Sequence, residues 1–218
     1  FLADDLGGLH GAIGAMAALR HRDQTGEGQH VDIALQDAML FQSDGLPTLG
    51  ALGIEPTRMG NEFGFAAPAN VYDCTDGAVY LGVLLDDHWK ILAPIIGEPE
   101  LAEHPTFATR DERAANRDVC NMMVSEWAKQ LPREQVLKTL QAAGLPAAPV
   151  NTFPEAAKDP HVQERDMLQP VEFTNGVTMP ITGPAAKFSR TPTKIRSAAP
   201  DIGQHNEEIL TGLDMKTD

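Results

Sequence analysis

Two adjacent carboxylates, Asp4 and Asp5, stand just ahead of four glycines and a histidine in the run ADDLGGLHGAIG. Carboxylates at the start of a helix accept hydrogen bonds from the unpaired N–H groups of its first turn, so residue chemistry alone reads them as caps. The helix is expected from Leu6, Leu9, Ile13, Met16 and Ala17, which recur at helical spacing. Arg20 and Arg22 suit its negative C-terminal end. Gly7, Gly8, Gly11 and Gly14 are unusual inside such a pattern, since each costs up to about 1 kcal/mol relative to alanine. Their presence predicts close approach by another backbone or a ligand. His10, among them, reads on its own as a packed helix residue.

A second cluster, Asp86-Asp87-His88-Trp89, has the residue types of a metal site. Consecutive residues do not share one face of a helix, so helix capping beside a buried Trp89 is the reading, and no metal is expected. Met122, Met123 and Trp127 form a core stripe rather than a cofactor site. Cys74 and Cys120 are far apart and lack metal-ligand spacing. With no secretory signal they read as reduced, buried thiols of a cytoplasmic protein.

The 218 residues suffice for one large domain or two small ones. A hydrophobic content of 42% with 22% charged residues is that of an ordinary globular protein. The formal charge of −14 argues against nucleic-acid binding, which needs basic surface to neutralise phosphates. No apolar run approaches the roughly 20 residues of a membrane-spanning helix. The start lacks both a signal-peptide pattern and an initiator methionine, so further residues are expected upstream.

Along the chain, residues 1–46 read as helix, short strand at Val31 and Ile33, and helix again through Leu35, Ala38, Met39 and Gln42. That pattern is the end of an α/β domain rather than a whole one. The Gly- and Pro-rich stretch 47–68 reads as a linker. Residues 69–168 form a small α+β domain. It has a hairpin turn at Thr75-Asp76-Gly77, a buried strand in AVYLGVLL, and a helix from Asp86 or Asp87. A long helix from about Arg110 to Leu131, carrying Val119, Met122, Met123 and Trp127 on its apolar side, comes next. Pro132 opens a further helix with the stripe Val136, Leu137 and Leu140, ended by Gly144. Residues 147–150 are extended, and Thr152 with Glu155 forms a capping box. Residues 169–218 supply a hairpin around Asn175-Gly176, an extended arm from Gly183 to Gly203, and a short helix from His205 to Leu213.

The run ADDLGGLHGAIGAMAALRHRDQTGEGQHVDIALQDAML resembles the central segment of the family III CoA-transferases, the CaiB/BaiF group. The resemblance continues in family order through RMGN, AAPANVYDCTDGAVYL, the HPTF stretch of residues 104–117, AAGLPAAPVNT, GPAAKFSRTP and APDIGQHNEEIL. Members are about twice this length, so the resemblance covers their C-terminal half. It implies an α/β fold in which residues 1–46 end the first segment of a Rossmann-like large domain. A small α+β domain is then inserted, and the C-terminal arm returns to the large one. It also implies a homodimer of interlocked subunits, and acyl-CoA and carboxylic-acid substrates. Coenzyme A is a substrate, with no further cofactor. The acidic balance of the chain fits a nucleotide site supplied largely by the missing half.

In the family's transferases an aspartate ahead of this helix attacks the acyl-CoA thioester, and an ungapped match places it at Asp4. A carboxylate can serve as a covalent nucleophile, splitting the transfer into two easier steps. Asp5 is the competing choice, since a one-residue slip exchanges the two. The resemblance implies that Gly7, Gly8 and His10 line the substrate and CoA site. Gln29 and Asp32 are read as structural, at a turn and a helix start, and Arg58 and Asn61 as surface turn residues with CoA contact as their alternative. The tract LGVLLDDHW lacks the glycine-rich loop that formyl-CoA transferases carry here, which speaks against formate and oxalate. The family's racemase branch, using acid/base chemistry at the α-carbon, is the alternative to transfer. An inactive piece serving as an interaction module is the other.

Overall fold

The computed structural model describes residues 1–211. It is a mixed α/β chain of two compact units, Phe1–Gly60 and the residues from Asn61 onward.

The first unit is built on helix α1, Leu2–Thr25. Gly26 ends it in the left-handed conformation, φ 81°, with its N–H donating to the Arg22 carbonyl. Helix α2, Leu35–Phe41, packs on α1, and α3, Leu46–Ala51, occupies the start of the stretch read as a linker. Asp4 and Asp5 do not cap α1. Phe1 holds the cap position, and both carboxylates lie inside the first turn, where their charge still complements the helix dipole.

The packed side of α1 also differs from the apolar stripe. Leu9, Ile13 and Met16 are exposed, whereas Gly7 is buried, and Leu6, His10, Gly14 and Ala18 are partly covered. The small residues decide this. A Cβ on Gly7 would run into the Leu35 side chain, and one on Gly14 would lie 2.9 Å from Val31 Cγ1. Val31 and Ile33 form no strand: residues 29–34 have no regular structure. A strand exists only through a hydrogen-bonded neighbour, and among the described residues of this unit none runs alongside.

The second unit contains a three-stranded antiparallel sheet in the order β1 (Ala69–Cys74), β2 (Gly77–Gly82), β3 (Ala147–Val150). Cys74 pairs with Gly77, so Thr75 and Asp76 form the tight turn the sequence predicts. Along β2, Val79 and Leu81 are buried while Tyr80 between them is exposed. Helix α4, Asp86–Ile95, is followed by a turn of 3₁₀ helix at Pro99–Leu101. Then come α5, Arg110–Ala115, α6, Arg117–Ala128, and α7, Arg133–Ala142. Trp89, Leu92, Val124, Val136 and Leu140 close the core over Val79 and Leu81. Each such side chain contributes about 1.5–3 kcal/mol on burial.

The expected single helix from Arg110 to Leu131 is two helices, broken at Asn116 (φ −110°, ψ 31°). The Asn116 side-chain amide donates to the Glu112 carbonyl and holds the break. The break resets the helical phase, so Cys120, Asn121, Val124 and Ala128 face the core, while Val119 and Met122 are exposed. Residues 153–157 and 160–164 form short helices α8 and α9. The predicted Thr152–Glu155 capping box is formed in both directions.

The hairpin of β4, Leu168–Glu172, and β5, Thr178–Thr182, is likewise as read. Gly176 takes the positive φ its loop needs, 79°. Helix α10, Asn206–Thr211, begins one residue later than predicted, and Leu213 lies outside the described residues. Among the described residues no helix is long and apolar enough to cross a membrane.

Candidate active site

Asp4 is exposed in the first turn of α1, and among the described residues its carboxylate has no hydrogen-bond or ion-pair partner. The same holds for Asp5. At about 100° per residue, Gly8 and Gly11 fall within about 40° of Asp4 on the helix surface. A Cβ added at either would meet nothing within 4 Å. Among the described residues no side chain closes over the helix surface beside Asp4 at Gly8 and Gly11. Asp5 is turned about 100° away from that direction.

Gly7 is on the opposite footing, closed over by Leu35. His10 is not beside Asp4. Six residues along one helix place it about 9 Å further and about 120° around. Its ring packs edge-on against Phe41, with centroids 5.3 Å apart at 85°. Together with Asp32, Asp37, Ala38 and Phe41 it lines a cavity of about 320 Å³. Asp37 and Phe41 were not singled out by sequence, since a helical Asp and Phe carry no motif.

Among the described residues the side chains of Gln29 and Asp32 have no hydrogen-bond partner. The turn is instead made by the Thr25 hydroxyl, which accepts from the Glu27 N–H, and the α2 cap position is Ala34. Arg58 and Asn61 are exposed, on either side of the boundary between the units.

In the second unit the DDHW tract does not cap α4 either, since Leu85 holds that position. Asp86 instead receives the guanidinium of Arg113, 2.9 Å away. Arg113 is fully buried and also donates to the carbonyls of Ala67, Phe107 and Ala108, with its charge over the Trp89 ring. Among the described residues no group of three or more His, Cys, Asp or Glu could hold a metal ion.

Three polar groups are joined below the sheet. The Tyr72 hydroxyl donates to Asn121 Oδ1 at 2.7 Å, and the Asn121 amide donates to Glu62 at 3.0 Å. Burial pushes the Tyr72 phenol far above its ordinary value. Cys74 and Cys120 are free thiols. Burial raises the Cys120 thiol to about 11.

The sequence model of CoA-transferase family III matches residues 1–206, and the chain belongs to that family. It is 36% identical over 96% of its length to the β subunit of a succinyl-CoA–L-malate CoA-transferase from Chloroflexus aurantiacus, covering 53% of that protein. It is 33% identical over 94% of its length to a succinyl-CoA:mesaconate CoA-transferase from Haloarcula marismortui, covering 52% of that protein. The crystal structure of a CaiB/BaiF family protein from Brucella suis matches 98% of the chain and 55% of its own, with a TM-score of 0.76 at 33% identity. The chain thus spans about half the length of the relatives it matches.

Proposed function

We propose that the intact protein transfers CoA between an acyl-CoA and a carboxylic acid, with Asp4 as the covalent nucleophile. The observation that carries this reading is the unpaired Asp4 carboxylate on a bare glycine face, within a chain that belongs to family III from end to end of that unit. A carboxylate oxygen of Asp4 attacks the thioester carbonyl, the C–S bond breaks, and CoA leaves as thiolate from a mixed anhydride. The thiolate then attacks the Asp4 side-chain carbonyl, releasing the donor acid as carboxylate and leaving an aspartyl-CoA thioester. The acceptor carboxylate reverses both steps and regenerates Asp4.

Each step passes through an oxyanion, whose developing negative charge is stabilised by backbone N–H groups near the glycines that follow Asp4. The bare surface at Gly8 and Gly11 lets the pantetheine arm run against backbone. His10, held against Phe41 and turned away from Asp4, contacts bound substrate from the separate cavity it shares with Asp32 and Asp37 rather than sharing the chemical step.

The named relatives act on succinyl-CoA, so succinyl-CoA is the donor to try first, with dicarboxylic acids such as malate and mesaconate as acceptors. The active form is a homodimer. Exchange of label between acids through CoA, abolished in Asp4→Asn and retained in Asp5→Asn, supports this reading. Loss of α-proton stereochemistry without exchange would replace it by the racemase chemistry.

A further inference from the structure

The chain carries 31 acidic and 17 basic residues, yet between Glu172 and Asp201 it has no acid at all. That stretch holds Lys187, Arg190, Lys194 and Arg196. None of the four forms an ion pair among the described residues. Asp201, the acid that follows, accepts instead from the Thr174 hydroxyl at 3.0 Å. A local positive field on a strongly acidic protein draws anions that the rest of its surface repels.

The field is concentrated at a cavity of about 430 Å³ lined by Pro184, Thr191, Pro192, Thr193, Lys194 and Arg196. Its wall is fixed although it has no regular secondary structure. The Thr193 hydroxyl donates to the Ala186 carbonyl at 2.7 Å, and the Ile195 N–H donates to Gln169 Oε1 at 3.3 Å. Pro184 and Pro192 remove backbone freedom at both margins. A planar guanidinium grips two oxygens of a phosphate at once, an ammonium adds a point charge, and the Thr191 hydroxyl can donate to a third oxygen.

We infer that this cavity is an anion site for a phosphate or polyphosphate group, free or carried on a nucleotide, with Arg196 and Lys194 as its binding residues. It lies in the second unit and is independent of the chemistry assigned to Asp4. A nucleic-acid backbone is disfavoured by the net charge of −14 of the whole chain.

The test is titration calorimetry of the intact protein with inorganic pyrophosphate, ADP and CoA, at low and moderate salt. Pyrophosphate is expected to bind with about one equivalent per chain. Arg196→Gln with Lys194→Gln should weaken it at least tenfold, and Arg196→Lys by a smaller factor, through loss of the two-pronged contact. Lys138→Gln, an exposed charge on α7, should leave binding unchanged. Tighter binding of ADP or CoA than pyrophosphate, lost in the same double variant, would show that the phosphate arrives on a nucleotide. Equal weakening by Lys138→Gln, or pyrophosphate binding untouched by the double variant, overturns the site. So does no binding of any probe. Circular dichroism of each variant separates loss of the site from loss of fold, and acid-exchange activity is followed separately because it reports on Asp4.

Discussion

The guanidinium of Arg113 is fully buried and donates at 2.9 Å to Asp86, whose side chain is half exposed. The pair joins the first turn of α4 to α5, while three carbonyls satisfy the rest of the guanidinium. A cation so placed is fixed by four acceptors from three separate parts of the chain, and removing one acceptor does not release it.

Arg113→Ala is therefore expected to destabilise the second unit by about 3–5 kcal/mol, by leaving Asp86 and three carbonyls without their donor and emptying a packed site. Asp86→Asn should cost less, about 1–3 kcal/mol, since a neutral acceptor remains near water. Denaturant unfolding of the intact protein measures both, and an Arg113 effect below the Asp86 effect would refute this ordering.

Tyr72→Phe leaves Asn121 Oδ1 without its buried donor and should cost about 1–3 kcal/mol. Because burial holds the phenol protonated, the tyrosinate absorbance of the folded protein up to about pH 11 should be the same with and without Tyr72. A smaller rise in the variant would show that the phenol ionises in the native state.

Glu155 accepts from Arg133 at 2.7 Å and from the Thr152 N–H, and these contacts lower its carboxyl to about 2. A depressed folded value means stability present above the ordinary carboxylate range and lost as pH falls toward 2. The stability gap between the wild-type protein and Glu155→Gln should be constant from pH 7 to about 5 and close between about 4.5 and 2. A gap that widens on acidification contradicts the assignment.

Gly8 opposes stability to function. With nothing within 4 Å of its added Cβ, Gly8→Ala should stabilise α1 by up to about 1 kcal/mol. The same methyl group would stand on the face that carries Asp4 and should lower kcat/KM for exchange. Higher stability with undiminished exchange would remove Gly8 from the site.

What the sequence showed depended on range. The Thr152–Glu155 box and the turn at Thr75-Asp76 are local devices, legible from residue types at fixed offsets. The box at Thr109–Glu112 has the same spacing and caps the expected start at Arg110, but the break after it was hidden, because asparagine at 116 is a weak interrupter until its amide finds a carbonyl. Alternation at Val31 and Ile33 imitates a strand, yet pairing is non-local and no alternation encodes it. Arg113 was visible only as a position of the family stretch 104–117; its role was not, since a buried cation is defined by the carbonyls of Ala67, Phe107 and Ala108, brought to it by the fold. At the site, Asp4 was legible through the family pattern. Its open glycine face, and the turning of His10 toward Phe41, required the helix to be built.

The central claim is that Asp4 becomes acylated. Incubating the intact protein with succinyl-CoA and hydroxylamine, then mapping the modified peptide by mass spectrometry, tests it directly. The account predicts a hydroxamate on Asp4, formed only when acyl-CoA is present and absent in Asp4→Asn. A hydroxamate on Asp5, or sustained acid exchange with no adduct on Asp4, would contradict it.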